Sequence, residues 1–327
     1  MLHRRRFCQA LAGSGVTVAA LCAAQSPAKV YRLGLLSTGR LDSAPSPLAV
    51  DDPFRTELAR LGLVEGVNLV IDVRTGRGDP ALLDGAAAEL VFARPDVLFT
   101  TGGFRAARAL KNATSTIPIV FAAMGEPVAA GLVASLARPG GNLTGGELPN
   151  LELKRIQILI EALGSSASIA MLTTPVSERR MAVFLQDLAA TRLQLKFHEV
   201  TKREDLAPAF ENMARQRVAG VAVAASILTA SYQPEIASLV ARHRLPAIAD
   251  GSSFADLGLM MSYSVDWAEV MRKAANYVYK IMKGAQPADL PVEQATKFDF
   301  VINLKSARAL GVRVPSSVLI AATRVIE

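Results

Sequence analysis

Cysteine is nearly missing from this chain. Its two cysteines, Cys8 and Cys22, both fall within the first 24 of 327 residues. With cleavage after Ala24 the mature chain would hold none, which rules out disulfides, thiol catalysis and cysteine-ligated metal. Histidine is almost as scarce: beyond His3 only His198 and His243 remain. His198 lies in the alternating run LKFHEV and reads as a solvated strand position. His243 closes LVARHRLP at a helix end, so neither is placed to serve a nucleophile. No G-x-S-x-G elbow and no G-x-x-x-x-G-K-[ST] loop occurs, which removes the serine-hydrolase and P-loop readings. Acidic residues are spread out, without the pairing of a glycosidase or the clustering of a metal site. Aromatics are 6% of residues, and lysine and arginine are dispersed. The net charge of +7, of which Arg4, Arg5 and Arg6 supply three, is therefore no nucleic-acid footprint. The expectation is no cofactor, no metal and no nucleic-acid partner.

What is present begins with an export signal. HRRRF supplies a basic region, Cys8 to Cys22 an apolar one, and small residues precede Gln25. Residues 1–24 are expected to be removed near Ala24, by the general secretory or the twin-arginine route, since Arg4-Arg5-Arg6-Phe7 fits R-R-x-F. The apolar run is short for a membrane span, so the mature protein is expected in the periplasm.

From Val30 onward short apolar strands alternate with amphipathic helices. YRLGLLS, VNLVIDVR, DVLFTTGG and IPIVFAAMG read as strands, with helices between them and GLVASLA as a further helix. The same alternation restarts after Gly146. Such order implies parallel sheets with helices on both faces. The strand LMMSYSV and the long helix Trp267–Lys283 then exceed what the second unit needs. They are expected to return to the first lobe, and KFDFVIN to the second, giving lobes of 29–145 plus 258–290 and 146–257 plus 291–327. Multiple crossings make a hinge, and clefts between such lobes hold small ligands.

Two glycine-rich stretches invite an anion-binding reading and fail it. Gly76-Arg77-Gly78-Asp79-Pro80-Ala81 matches G-x-G-x-x-A, but it occupies the second strand-to-helix turn and lacks the acidic residue about 20 positions on. In GLVASLARPGGNLTGG the glycines follow a helix instead of opening one. Arg138-Pro139-Gly140-Gly141 reads as a helix stop, residues 142–145 as a last short strand, and Gly145-Gly146 as the first hinge crossing.

The stretches GLVASLARPGGNLTG, LGLMMSYSVDWAEVMRKAANYVYKIMKGAQPADLPVEQATKFDFVINLKSARALGV and VPSSVLIAATRVIE resemble the ABC-transporter substrate-binding proteins of the tryptophan/tyrosine type. The resemblance implies an α/β protein of two Rossmann-like lobes with parallel central sheets joined by a multi-crossing hinge, the type I periplasmic-binding-protein fold. It implies a small-molecule ligand, of a class that includes amino acids, that is bound without catalysis and delivered to permease membrane subunits with a cytoplasmic ATPase. A sensory protein signalling to a membrane partner, or an enzyme on the same scaffold, are the alternatives. Two departures bear on the ligand: Leu257-Gly258-Leu259 precedes Ser262-Tyr263-Ser264, and Glu126-Pro127-Val128 stands where the family has Asp-Pro-Val.

In that fold the ligand meets the loops after the strands. On the first lobe these are Ser37 and Thr38, Thr101, Gly102 and Gly103, and Met124 and Glu126, whose hydroxyls and open N–H groups suit a carboxylate. On the second they are Thr173 and Thr174, Ser226 and Asp250, the last able to pair with an ammonium group or to cap a turn. Tyr263, near the recrossing, could stack on the ligand or pack in the hinge.

Overall fold

The computed structural model describes residues 29–39, 52–101, 103–164, 167–175, 178–191 and 193–327. The expected signal, residues 1–24, and Gly102 lie outside them. The first run of elements is β1 (Tyr31–Ser37), α1 (Pro53–Arg60), β2 (Leu69–Thr75), α2 (Leu83–Phe92), β3 (Val97–Thr100), α3 (Gly103–Ala113), β4 (Ile119–Met124) and β5 (Leu143–Glu147). The second is α4 (Glu152–Leu163), β6 (Ile169–Thr173), α5 (Glu178–Thr191), β7 (Leu195–Glu199), α6 (Leu206–Arg215), β8 (Gly220–Val223), α7 (Ile227–Ser231), α8 (Gln233–Arg242), β9 (Ala247–Ala249), α9 (Ser252–Asp256) and β10 (Met261–Val265). The chain closes with α10 (Trp267–Met282), β11 (Glu293–Gln294), β12 (Phe298–Asn303), α11 (Leu304–Leu310), α12 (Ser316–Ile320) and β13 (Arg324–Ile326).

These form two sheets, ordered β11-β5-β4-β3-β1-β2 and β13-β12-β10-β9-β8-β6-β7. Every pairing is parallel except β10 with β12. The two-lobed α/β plan expected from the alternation is what the chain adopts.

Helix starts follow local chemistry. Asp52 Oδ1 accepts the Phe54 N–H at 2.7 Å with Pro53 at the first helical position, which satisfies a donor that the helix itself cannot. Phe54 then lies flat on Phe99, 4.1 Å between ring centroids, and so pins α1 to β3. The helix stops are less usual. Arg94, Arg217 and Arg244 sit at φ of 50°, 51° and 51° just past α2, α6 and α8. A left-handed turn that glycine commonly fills is here forced on arginine three times, each just before a strand begins.

Three parts of the expected organisation are corrected. LMMSYSV does not join the first lobe: β10 pairs with β9 and β12 in the second sheet. Of that strand and helix only α10 returns, burying Val270, Met271, Ala274 and Val278 against Leu33, Leu58 and Phe99. β11 goes with it, pairing with β5, so residues 293–294 also belong to the first sheet. GLVASLA is a set of turns and bends, not a helix; Pro127 and the φ of +66° at Gly131 break so short a run before it can nucleate.

Gly145 and Gly146 are not the crossing either, but sit inside β5. A Cβ on Gly145 would stand 1.9 Å from the Phe121 carbonyl oxygen, and one on Gly146 2.4 Å from that of Ala122. Their role is close backbone approach where the β4–β5 register shifts. The chain crosses at residues 148–151, at Asp266, and at residues 295–297.

Candidate functional site

All three crossings leave from one end of the sheets. β5 and β10 run out of the C-terminal ends of their parallel sheets, and β11, parallel to β5, leads into the antiparallel β12. The C-terminal strand ends of both lobes therefore meet at the hinge, the position where open α/β sheets bind ligands.

On the first lobe the residues just after β1 and β3 at this end are small and uncharged, and Glu126 follows β4. Ser37 is buried and its Oγ accepts the Gly39 N–H at 3.3 Å. Thr38 is half-buried and its carbonyl accepts the Gly78 N–H, while the Ser37 carbonyl accepts that of Gly76. The glycine-rich turn after β2 is thus tied to β1, and these two N–H groups are not open for a phosphate. Thr101 is half-buried after β3, and Gly103 opens α3 at φ +62°. Met124 is not a cleft residue: it is 1% exposed and packs in the core beneath α2 and α3, because the inward pleat of β4 takes it there. Glu126 is exposed and held at φ +53° ahead of Pro127, a strained backbone for a residue with a side chain.

On the second lobe the same end is built around a buried charge. Arg155, 2% exposed, reaches Glu152 at 2.8 Å, Asp250 at 2.9 Å and the Tyr263 carbonyl oxygen at 2.9 Å. Glu152 Oε1 also accepts the Ala225 N–H at 3.0 Å. Asp250 is set deep at the end of β9, and burial pushes its carboxyl above the usual range against the pull of Arg155. It still keeps 42% of its side-chain surface open. Only Oδ1 is engaged by Arg155, so Oδ2 is free among the described residues.

Beside this network Thr173, Thr174 and Ala225 border a recess of about 40 Å³ walled by Met171, Met181, Phe184 and Phe197. Thr173 is buried and donates to the Thr174 carbonyl at 3.2 Å. Ser226 serves its own helix, its Oγ accepting the Thr229 N–H at 3.0 Å. Tyr263 packs within the second lobe beside the crossing at residues 295–297: its ring stacks on Phe298 at 5.7 Å and meets Phe300 edge-on at 5.8 Å.

The histidines behave differently from each other. His243 is the C-cap of α8, as a helix-end position implies. His198 is 8% exposed in β7, against the solvated position expected, and burial lowers its pKa.

Reading the sequence missed Arg155 and Glu152, although a signal was there. Glu152, Arg155, Ile156 and Leu159 share the buried stripe of α4, so two charges occupy core positions. It also missed exposed apolar side chains at the strand ends: Phe104 at 44% and Val128 at 43% on the first lobe, and Ile227 at 64% on the second. The site is thus an open, partly apolar surface with an anionic group on one lobe and neutral donors on the other. Among the described residues no group of histidine, cysteine and acidic side chains could hold a metal, and no helix is long and apolar enough to cross a membrane.

Known proteins share this fold. A tyrosine-binding protein of Clostridioides difficile is 25% identical over 264 residues, covering 79% of this chain and 75% of that protein. A Streptococcus pneumoniae ABC domain solved with L-Trp superposes with a TM-score of 0.80 at 25% identity, over 91% of this chain and all of that one. A conserved domain protein from Vibrio cholerae gives 0.78 at 28%, with the same coverage. Residues 42–326 match the family model described as ABC transporter substrate binding protein, and the chain belongs to that family.

Proposed function

We propose that this protein is an exported, non-catalytic binding protein that closes on a small α-amino acid and hands it to permease subunits driven by a cytoplasmic ATPase. The observation that carries this is Asp250: a carboxylate at the hinge end of the second sheet, fixed by a buried arginine on one oxygen and open on the other. Such a group pairs with an ammonium and is pre-oriented for it. The hydroxyls and N–H groups of Thr38, Thr101 and Gly103 across the hinge suit the carboxylate of the same ligand. The Met171–Phe184–Phe197 recess suits an apolar or aromatic side chain, in keeping with the tyrosine and tryptophan named for two of its relatives. The N-terminal signal supports export. The histidines are committed to a strand and a helix cap, which supports binding without turnover.

Only the closed state lets one ligand touch both lobes, so binding shifts the population toward closure. A panel of free amino acids, read by melting temperature and by scattering radius, tests this. At least one apolar or aromatic member raises the first and contracts the second, and Asp250→Asn weakens it about 10- to 100-fold. A panel that moves neither quantity removes the reading.

A further inference from the structure

Away from the hinge, the second lobe carries a cavity of about 280 Å³ between α4, α12 and the β10–β12 pair. Its floor is the stacked Tyr263–Phe298 pair, with 15° between the ring planes. One rim holds Lys154 and Glu161, seven residues apart and so on one face of α4, about 10 Å apart along its axis. The other rim holds Ser317 and Ala321, in and just past α12. α4 starts at the hinge with Glu152 and runs away from it, so the cavity lies along the flank; Asp250, Glu152 and Arg155 do not border it, and Tyr263, whose carbonyl accepts from Arg155, lines it through its ring.

The two rim charges are not equivalent. Glu161 already accepts the Ser317 hydroxyl at 2.7 Å. Lys154 is exposed and has no ion-pair partner among the described residues. An aromatic floor beneath one uncommitted cation, with hydroxyl and carboxylate groups at the far end, is the make-up of a ligand site with few orienting polar groups. Its size, just below the roughly 300 Å³ at which such sites usually begin, restricts the occupant to about one ring.

We propose that this cavity is a second ligand site, separate from the cleft, for a small aryl carboxylate. The ring lies against Tyr263 and Phe298, and the carboxylate pairs with Lys154. A polar ring substituent meets Glu161 or the Tyr263 hydroxyl.

Phenylacetate is the probe, titrated by calorimetry and ligand-observed NMR into the full mature chain and three variants. Wild type and Asp250→Asn bind it alike; Lys154→Glu, at an exposed position, binds about tenfold more weakly or worse. Ala321→Trp, which fills the cavity from its exposed rim, abolishes the signal while the melting temperature holds. No binding to wild type at about 10 mM overturns the proposal. So does binding that survives both flank variants, or binding displaced by an amino acid that compacts the protein, which would move phenylacetate to the cleft. Cleft occupancy is read separately by compaction with amino acids, so the two readings can fail independently.

Discussion

At the hinge the first lobe presents Ser37, Thr38, Thr101 and Gly103, whereas the second presents Asp250 above a guanidinium that is 2% exposed. Both ends are made by the same strand-to-helix turns, yet these first-lobe groups are neutral and the second end is held together by charge. A zwitterion can then enter in only one orientation, ammonium toward Asp250 and carboxylate toward the N–H groups, without a buried like-charge contact. These first-lobe groups make a donor-rich surface with no charge to desolvate. The second must keep a carboxylate poised, and Arg155 is how it does so. The lobes also differ in what holds them: backbone contacts order both ends, Gly76 with Ser37 on the first and Val200 with Thr173 on the second, but only the second adds a buried ionic network.

Removing that side chain breaks the comparison most severely. Arg155→Leu leaves Glu152 and Asp250 without their cation, and loss of one partner from a buried ionic cluster costs about 3–5 kcal/mol. Chemical denaturation should show this as a lowered midpoint, confined by hydrogen exchange to the second lobe. Equal loss of protection in both lobes would mean that the network holds the hinge rather than one face of it.

Much of the fold was legible because periodicity is local. The strands and most helices follow from spacing, and so does the two-unit plan. What was not legible depends on pairing. LMMSYSV reads as a strand in either lobe, and only its partners β9 and β12 decide. Gly145-Gly146 looks like a flexible joint because glycine permits bending, yet the carbonyls of Phe121 and Ala122 leave no room for anything larger. Thr173, Thr174 and Asp250 stand at the ends of β6 and β9, as expected, because small polar residues follow strands. Met124 was misplaced because burial after a strand depends on the pleat. For Tyr263 the sequence left stacking on the ligand and packing in the hinge open, because its neighbours Phe298 and Phe300 come from a strand more than thirty residues later.

A smaller effect separates the lobes by pH. In the first, Glu57 takes two hydrogen bonds from Arg60 and one from Asn276, which pull its pKa from 4.5 to about 2. A lowered acid stabilises above its unfolded value, so this contribution is intact above pH 4.5 and is lost as pH falls toward 2. Asp250 has the opposite sign. Its raised pKa makes the ionised form a burden in the folded state, and that burden lifts as pH falls through the raised value toward 3.8. Thermal melts from neutral to acid pH check both. Glu57→Gln is a few degrees less stable at neutral pH, and its deficit closes in acid. Asp250→Asn is no less stable than wild type at neutral pH although it binds ligand poorly, and any advantage disappears in acid. A deficit in Asp250→Asn at neutral pH would assign the carboxylate to stability instead of recognition.

The smallest expected effect concerns Glu126, an acidic residue of left-handed backbone on the first lobe. Glu126 at φ +53° and Arg94 at φ +50° share nearly the same backbone conformation and are both exposed, but Arg94 ends α2 at the opposite end of the sheet. Glycine removes the left-handed strain of about 1 kcal/mol and returns part of it as unfolded-chain entropy. Glu126→Gly and Arg94→Gly should therefore change stability by less than about 1 kcal/mol and by matching amounts. Affinity is where they part: if the Glu126 carboxylate touches the ligand or the closed second lobe, only Glu126→Gly alters binding. Matching affinities in the two variants would leave Glu126 as a helix-stop geometry reused at a loop. The first lobe's part in recognition would then rest wholly on its hydroxyl and N–H donors.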